Sequence, residues 1–283
     1  MSLWEEIRLV AQHEIKRNVK SLKGIIMFIL FFLLGTLPVL GRILIDNAAK
    51  EAHLDKISPE QRHQAMERAL LLTYRGDHAI ASYLADSPAA LYLLLAMTQL
   101  LLPLLSIVIG FDQIAGDVQH RSIRYLVGRA KRSSLVIGKG IGIWAVVAIM
   151  TLVTHAVAWI MMLFQHDYGA GETLSWGLRF LAFCVASAGA QVGLASLVSS
   201  WFKVPILSLF IGLGVGFGLF VARAIVLAIG DSAEFARWIF PSTYETFMVK
   251  PDALTALGGC AASIAWGAIM VTLATVIVQR KDV

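Results

Sequence analysis

Long apolar stretches alternate with polar connections along this chain: Gly24 to Gly41, Ala89 to Phe111, Gly140 to Phe164, Leu174 to Val198, Val204 to Gly230 and Ala256 to Val278. A helix needs about 20 predominantly apolar residues to cross the roughly 30 Å hydrocarbon core of a bilayer, and each stretch approaches or exceeds that length. Six transmembrane helices are predicted. Within the stretches only Arg179 and Arg223 carry charge; Arg179, like Arg42 beyond the first stretch, lies near enough a boundary to snorkel. The first stretch is longer than the roughly 7–15 apolar residues of a signal peptide, and no small-x-small cleavage site follows, so it is expected to be retained.

Ahead of it, Trp4, Ile7, Ala11, Ile15, Val19 and Leu22 recur at spacings of three and four, with Glu5, Gln12, Glu14, Lys16, Arg17 and Lys20 on other faces. Residues 1–23 therefore read as an amphipathic interfacial helix started by a Ser2–Glu5 capping box, or as a helix packed on a soluble partner. In the connection 45–88, Ser58, Pro59 and Gln61 mark another helix start, with a break near Gly76 and Asp77. The connection 231–255 carries Phe235, Trp238, Phe240, Pro241, Tyr244 and Phe247, which suits short interfacial or re-entrant helices.

Composition agrees with a lipid-embedded protein. Of 283 residues 58% are hydrophobic and 15% charged, against roughly 25% charged in soluble domains, and mean hydropathy is +0.73. A soluble enzyme is excluded. The net charge of +5 is concentrated beside the spans, where it reports topology and implies no nucleic-acid partner. Arg8, Lys16, Arg17, Lys20 and Lys23, then Arg121 to Lys139, then Arg280 and Lys281, place both termini and the 112–139 connection in the cytoplasm. Cys184 and Cys260 sit inside apolar stretches and read as free thiols.

No chemistry for an independent energy source is visible. The spans hold no Asp or Glu of the kind an ion-coupled transporter keeps in the bilayer. No zinc-protease, nucleophile-elbow or Walker A motif occurs, and no metal-ligating cluster stands out. Gln99, His155, Gln191 and Arg223 are the deep polar residues, each a candidate for a translocation path or for interhelical hydrogen bonding. Gly212, Gly214, Gly216 and Gly218 form overlapping Gly-x-x-x-Gly patterns for helix packing or dimerisation, and Gly189 and Gly193 another.

Between the second and third stretches the chain reads Ile114-Ala115-Gly116-Asp117, His120-Arg121-Ser122-Ile123-Arg124-Tyr125-Leu126, Arg132-Ser133-Ser134 and Gly138-Lys139. With the six spans and the aromatic segment before the last, this resembles the type-2 ATP-binding-cassette (ABC) permease family, although Asp117 stands for the family's usual Glu and Gln119-His120-Arg121 for its Gly-Thr. The resemblance implies an all-α polytopic membrane protein with an N-terminal interfacial helix and a cytoplasmic coupling helix between spans two and three. It implies no ATPase activity in this chain and no cofactor bound by it, with ATP and Mg bound on a separate ABC ATPase subunit. It further implies pairing with a second copy, coupling residues Asp117, Arg121, Arg124, Leu126 and Arg129, and a role in export. An extracytoplasmic protein partner stays open, as do two other readings: an ion-coupled secondary transporter using His155, and a membrane scaffold that moves nothing.

Overall fold

The computed structural model describes residues 2–51, 58–121, 130–164 and 169–281, except the side chains of 49, 50, 59 and 230–234. Among the described residues the chain is all-helical. Its α-helices are α1 (Leu3–Lys20), α2 (Leu22–Glu51), α3 (Pro59–Thr73), α4 (His78–Ala85), α5 (Ala89–Gly110), α6 (Ala115–Gln119), α7 (Arg132–Leu163), α8 (Ala170–Trp201), α9 (Pro205–Ile229), α10 (Pro241–Met248) and α11 (Ala253–Arg280), with a 3-10 segment, Gly230–Ile239, before α10. Six of them, α2, α5, α7, α8, α9 and α11, are long and apolar enough to cross a membrane.

Local chemistry explains several boundaries. At α1 the Ser2 amide donates to Glu5 Oε2 at 2.7 Å while Glu5 N donates to Ser2 Oγ at 3.4 Å, and Ser58 and Gln61 do the same for α3. α3 and α4 separate where Arg75 (φ 59°) and Gly76 (φ 80°) enter the left-handed region. Asp77 then caps α4 by accepting from the Ala79 and Ile80 amides at 3.1 Å. The apolar run of the first span ends at Gly41, yet α2 continues to Glu51, with Arg42 and Asp46 paired one turn apart at 3.0 Å.

α8 is the axis of the bundle. Its most apolar window is 78% buried, against 6% for that of α9, which lies at the edge. α5, α7 and α11 surround α8, and small residues let them approach: Gly193 of α8 and Gly267 of α11 meet backbone to backbone. α7 has 32 residues, about 48 Å at 1.5 Å per residue, so its first turns extend beyond a hydrocarbon core of about 30 Å. There α1 packs along it, in the groove above Ser134, Gly138 and Gly142. A Cβ on Gly138 would sit 2.7 Å from that of Val10, and one on Gly142 would sit 2.7 Å from that of Glu14. Ile7 and Ala11 face this contact, while Trp4, Val19 and Leu22 of the same apolar stripe remain exposed.

Candidate functional site

Polar side chains collect at the two ends of the bundle. At the α1 end, Lys139 stands two turns into α7 with only 8% of its side chain exposed. Its Nζ lies 2.5 Å from Asp117 Oδ2 on α6, donates to Gln113 O at 2.5 Å, and lies 3.9 Å from Glu14 Oε2 on α1. Glu14 in turn accepts from Arg17 at 2.6 Å and Asn18 at 2.8 Å. One ammonium thereby ties α1, α6 and α7 together, and the two carboxylates offset the cost of removing it from water. Around this knot, Gln113 Nε2 donates to Ser196 Oγ at 2.8 Å. The hydroxyl of Ser199 accepts from the Ile114 and Ala115 amides and donates to Phe111 O, fixing α6 against α8. Lys23 pairs with Asp112 at 2.7 Å over the Phe111 ring.

Helix termini at this end are satisfied by residues distant in sequence. Glu6 Oε2 accepts from the Lys131 amide at 3.1 Å and from Ser134 Oγ at 2.7 Å, capping α7 from another helix. Arg132 donates to the Val278, Gln279 and Lys281 carbonyls at the end of α11, and Lys281 Nζ donates to Ser200 O at the end of α8.

The Ser134 hydroxyl and the Lys131 amide hold the Glu6 carboxyl below the 4.5 of a free Glu. Because the folded value lies below the unfolded one, the bonds to Glu6 stabilise fully above about pH 4.5 and are lost as pH falls through the lower, folded value. Protection of α1 from proteolysis is therefore expected to fall below pH 4.5 in the native chain and to fall less steeply over that range in Glu6→Gln.

Of the predicted coupling residues, Asp117 is the partner of Lys139, and Arg121 is exposed with a left-handed backbone (φ 55°) two residues beyond α6. Arg124, Leu126 and Arg129 lie outside the described residues.

At the opposite end, α3 and α4 form a cap over a cavity of about 580 Å³ that also borders α5, α9, the 3-10 segment and α10. Gln99 and Arg223 line it together; His155 and Gln191 do not. His155 is fully buried, its Nε2 3.2 Å from Thr98 Oγ1 and its ring edge-on to Trp159. Gln191 is enclosed along α8. The cap is stapled to the bundle by two arginines. Arg75 donates to Leu227 O near the end of α9 at 2.7 Å. Arg179 donates to Tyr83 Oη of α4 and Lys250 O, lying over the Tyr83 ring.

The cavity also contains an acid that sequence position hides. Glu245, in a connection by the apolar pattern, is carried by α10 into the bundle, where it accepts from Ser187 Oγ of α8 at 2.8 Å. Burial raises its carboxyl above the usual range, opposed by the Ser187 bond and by Arg223. Proline at the first position of α10 beside aromatic residues is a signal for the helix but not for its depth.

Among the four glycines of α9, Gly212 and Gly216 pack on Ile107 of α5, while a Cβ on Gly214 or Gly218 would meet nothing within 4 Å.

No curated protein shows a significant match to the chain. A family model described as ABC-2 family transporter protein matches residues 8–283, which take in all six spans, the Lys139 knot and the capped cavity. The chain thus belongs to the ABC-2 transporter family and is an integral-membrane permease subunit of an ABC transporter.

Proposed function

We propose that this permease is the membrane half of an ATP-driven exporter, working as a homodimer in the bacterial cytoplasmic membrane with both termini inside. ATP and Mg act on a separate ABC ATPase that docks on the segment following α6. The observation carrying this reading is the buried Lys139–Asp117 pair, which locks α6, just ahead of that segment, to α7 and, through Glu14, to α1. A displacement of α6 by a docked ATPase is then passed to a spanning helix through this ion pair. The exposed, phenylalanine-rich surface of α9 (Phe210, Phe217, Phe220) suits contact with a second copy. Gln99 and Arg223 supply polar groups for the cargo path on the cap side, which is the outer face in this reading.

Co-expression with the cognate ATPase tests the proposal. Arg121→Glu, at an exposed position, is expected to leave the melting midpoint within the change of about 0.5 kcal/mol typical of surface substitutions. It is also expected to reduce permease-dependent ATP hydrolysis in proteoliposomes to the ATPase's basal level. Undiminished stimulation would remove the docking role from this segment, and export persisting after ATP depletion under an ion gradient would remove the ATP-driven reading.

A further inference from the structure

We infer that the capped cavity is a binding site for an anionic amphiphile, whose carboxylate or phosphate headgroup is held by Arg223 and Arg237 and whose chain lies on the apolar wall. The inference deepens the reading of Gln99 and Arg223 as path residues and does not depend on ATP coupling. A volume of about 580 Å³ falls in the range of roughly 300–1,000 Å³ typical of small-molecule sites.

Charge selects the headgroup. The lining contains Arg75, Arg223, Arg237 and Lys250 against Asp77 and Glu245. Asp77 is engaged by the amides of Ala79 and Ile80, and Glu245 by Ser187, with burial further weakening its negative charge. Among the described residues neither Arg223 nor Arg237 belongs to an ion pair. Arg237 Nε is moreover buried without an acceptor, and Gln99 Oε1 is buried without a donor. Half-buried guanidinium groups with no carboxylate at ion-pair distance are costly, and an anion supplies that partner in the form they bind best, a planar or tetrahedral oxyanion.

Apolar surface selects the remainder of the ligand. Leu95, Phe183, Leu227, Trp238 and Met248 share the cavity with these cations. A small inorganic anion would leave that surface wet, whereas an alkyl chain covers it.

The test uses purified protein in phosphatidylcholine nanodiscs titrated calorimetrically with dodecyl phosphate, dodecylphosphocholine and inorganic phosphate. Dodecyl phosphate is expected to bind saturably, inorganic phosphate and the zwitterion at least about tenfold more weakly, and Arg223→Gln/Arg237→Gln to lose about tenfold or more in affinity for dodecyl phosphate. Glu245→Gln keeps an acceptor for Ser187 and is expected to bind dodecyl phosphate at least as tightly as the native protein at neutral pH. Equal affinity for the phosphate and the zwitterion, or weaker binding in Glu245→Gln, overturns the assignment even if the double arginine variant does not fold. Including phosphatidylglycerol in the disc separates the sources: competition identifies a membrane lipid as occupant, and its absence identifies a free amphiphile. Because no ATPase is present, a failure here leaves the coupling proposal standing.

Discussion

Lys139→Met is expected to lower the melting midpoint by about 10 °C, the shift corresponding to roughly 3–5 kcal/mol in a chain of this size. The substitution keeps an unbranched apolar stem and removes the ammonium, with its charge and its donors. Asp117 then loses the ammonium 2.5 Å away in a site where its own side chain is 15% exposed, and Gln113 O loses its donor. Glu14 keeps Arg17 and Asn18 and contributes less to the loss. The double variant Lys139→Met/Asp117→Leu separates charge from packing, because an ion pair replaced by apolar groups of similar volume is often neutral for stability. It is expected to recover most of the midpoint in a fluorescence-detected melt. If the single variant melts like the native protein, the ammonium is not the tie between α6 and α7, and the transmission route proposed for ATPase closure loses its basis.

Features that depend on one helix were legible in the sequence; features that depend on two were not. Hydropathy found all six spans because lipid imposes the same requirement on each of them separately. The Ser2–Glu5 and Ser58–Gln61 boxes were legible because donor and acceptor lie three residues apart. Span limits were less so. The uncharged-run criterion begins the third span at Gly140, whereas α7 begins at Arg132, since Lys139 is neutralised by residues 22 positions earlier on α6 and 125 earlier on α1. The same limitation hid Glu6 as a cap for α7 and Glu245 as a half-buried acid of the cavity, whose partners Ser134 and Ser187 are remote in sequence. Gln99, His155, Gln191 and Arg223 were grouped by polarity and depth alone. Only rotation about each helix axis decides which enter the cavity, and depth carries no information on rotation.

Gly193→Leu is expected to prevent formation of the native bundle. An added Cβ at this position would lie 2.5 Å from Gly267 O and 2.7 Å from Gly267 Cα. These are backbone atoms of a spanning helix, with no rotamer to yield. α8 and α11 would have to separate along a contact in which Gly267 in turn faces the Gly189 backbone. Core overpacking costs about 1–3 kcal/mol where side chains can adjust, and at a contact between main chains the upper end or beyond is expected, read as loss of the monodisperse species in detergent. Gly258→Leu on the same helix as Gly267 is the control: nothing lies within 4 Å of a Cβ there, and the variant should purify normally. Gly214→Leu extends the comparison from one protomer to two. Its Cβ position is also open, so the protomer should fold and melt as the native chain does. A second copy seated on α9 would meet the new side chain, and the mass of the particle measured by light scattering should fall from two chains to one. If Gly214→Leu leaves the dimer intact, the pairing surface is not this glycine face, while the α8–α11 contact is tested by Gly193 alone.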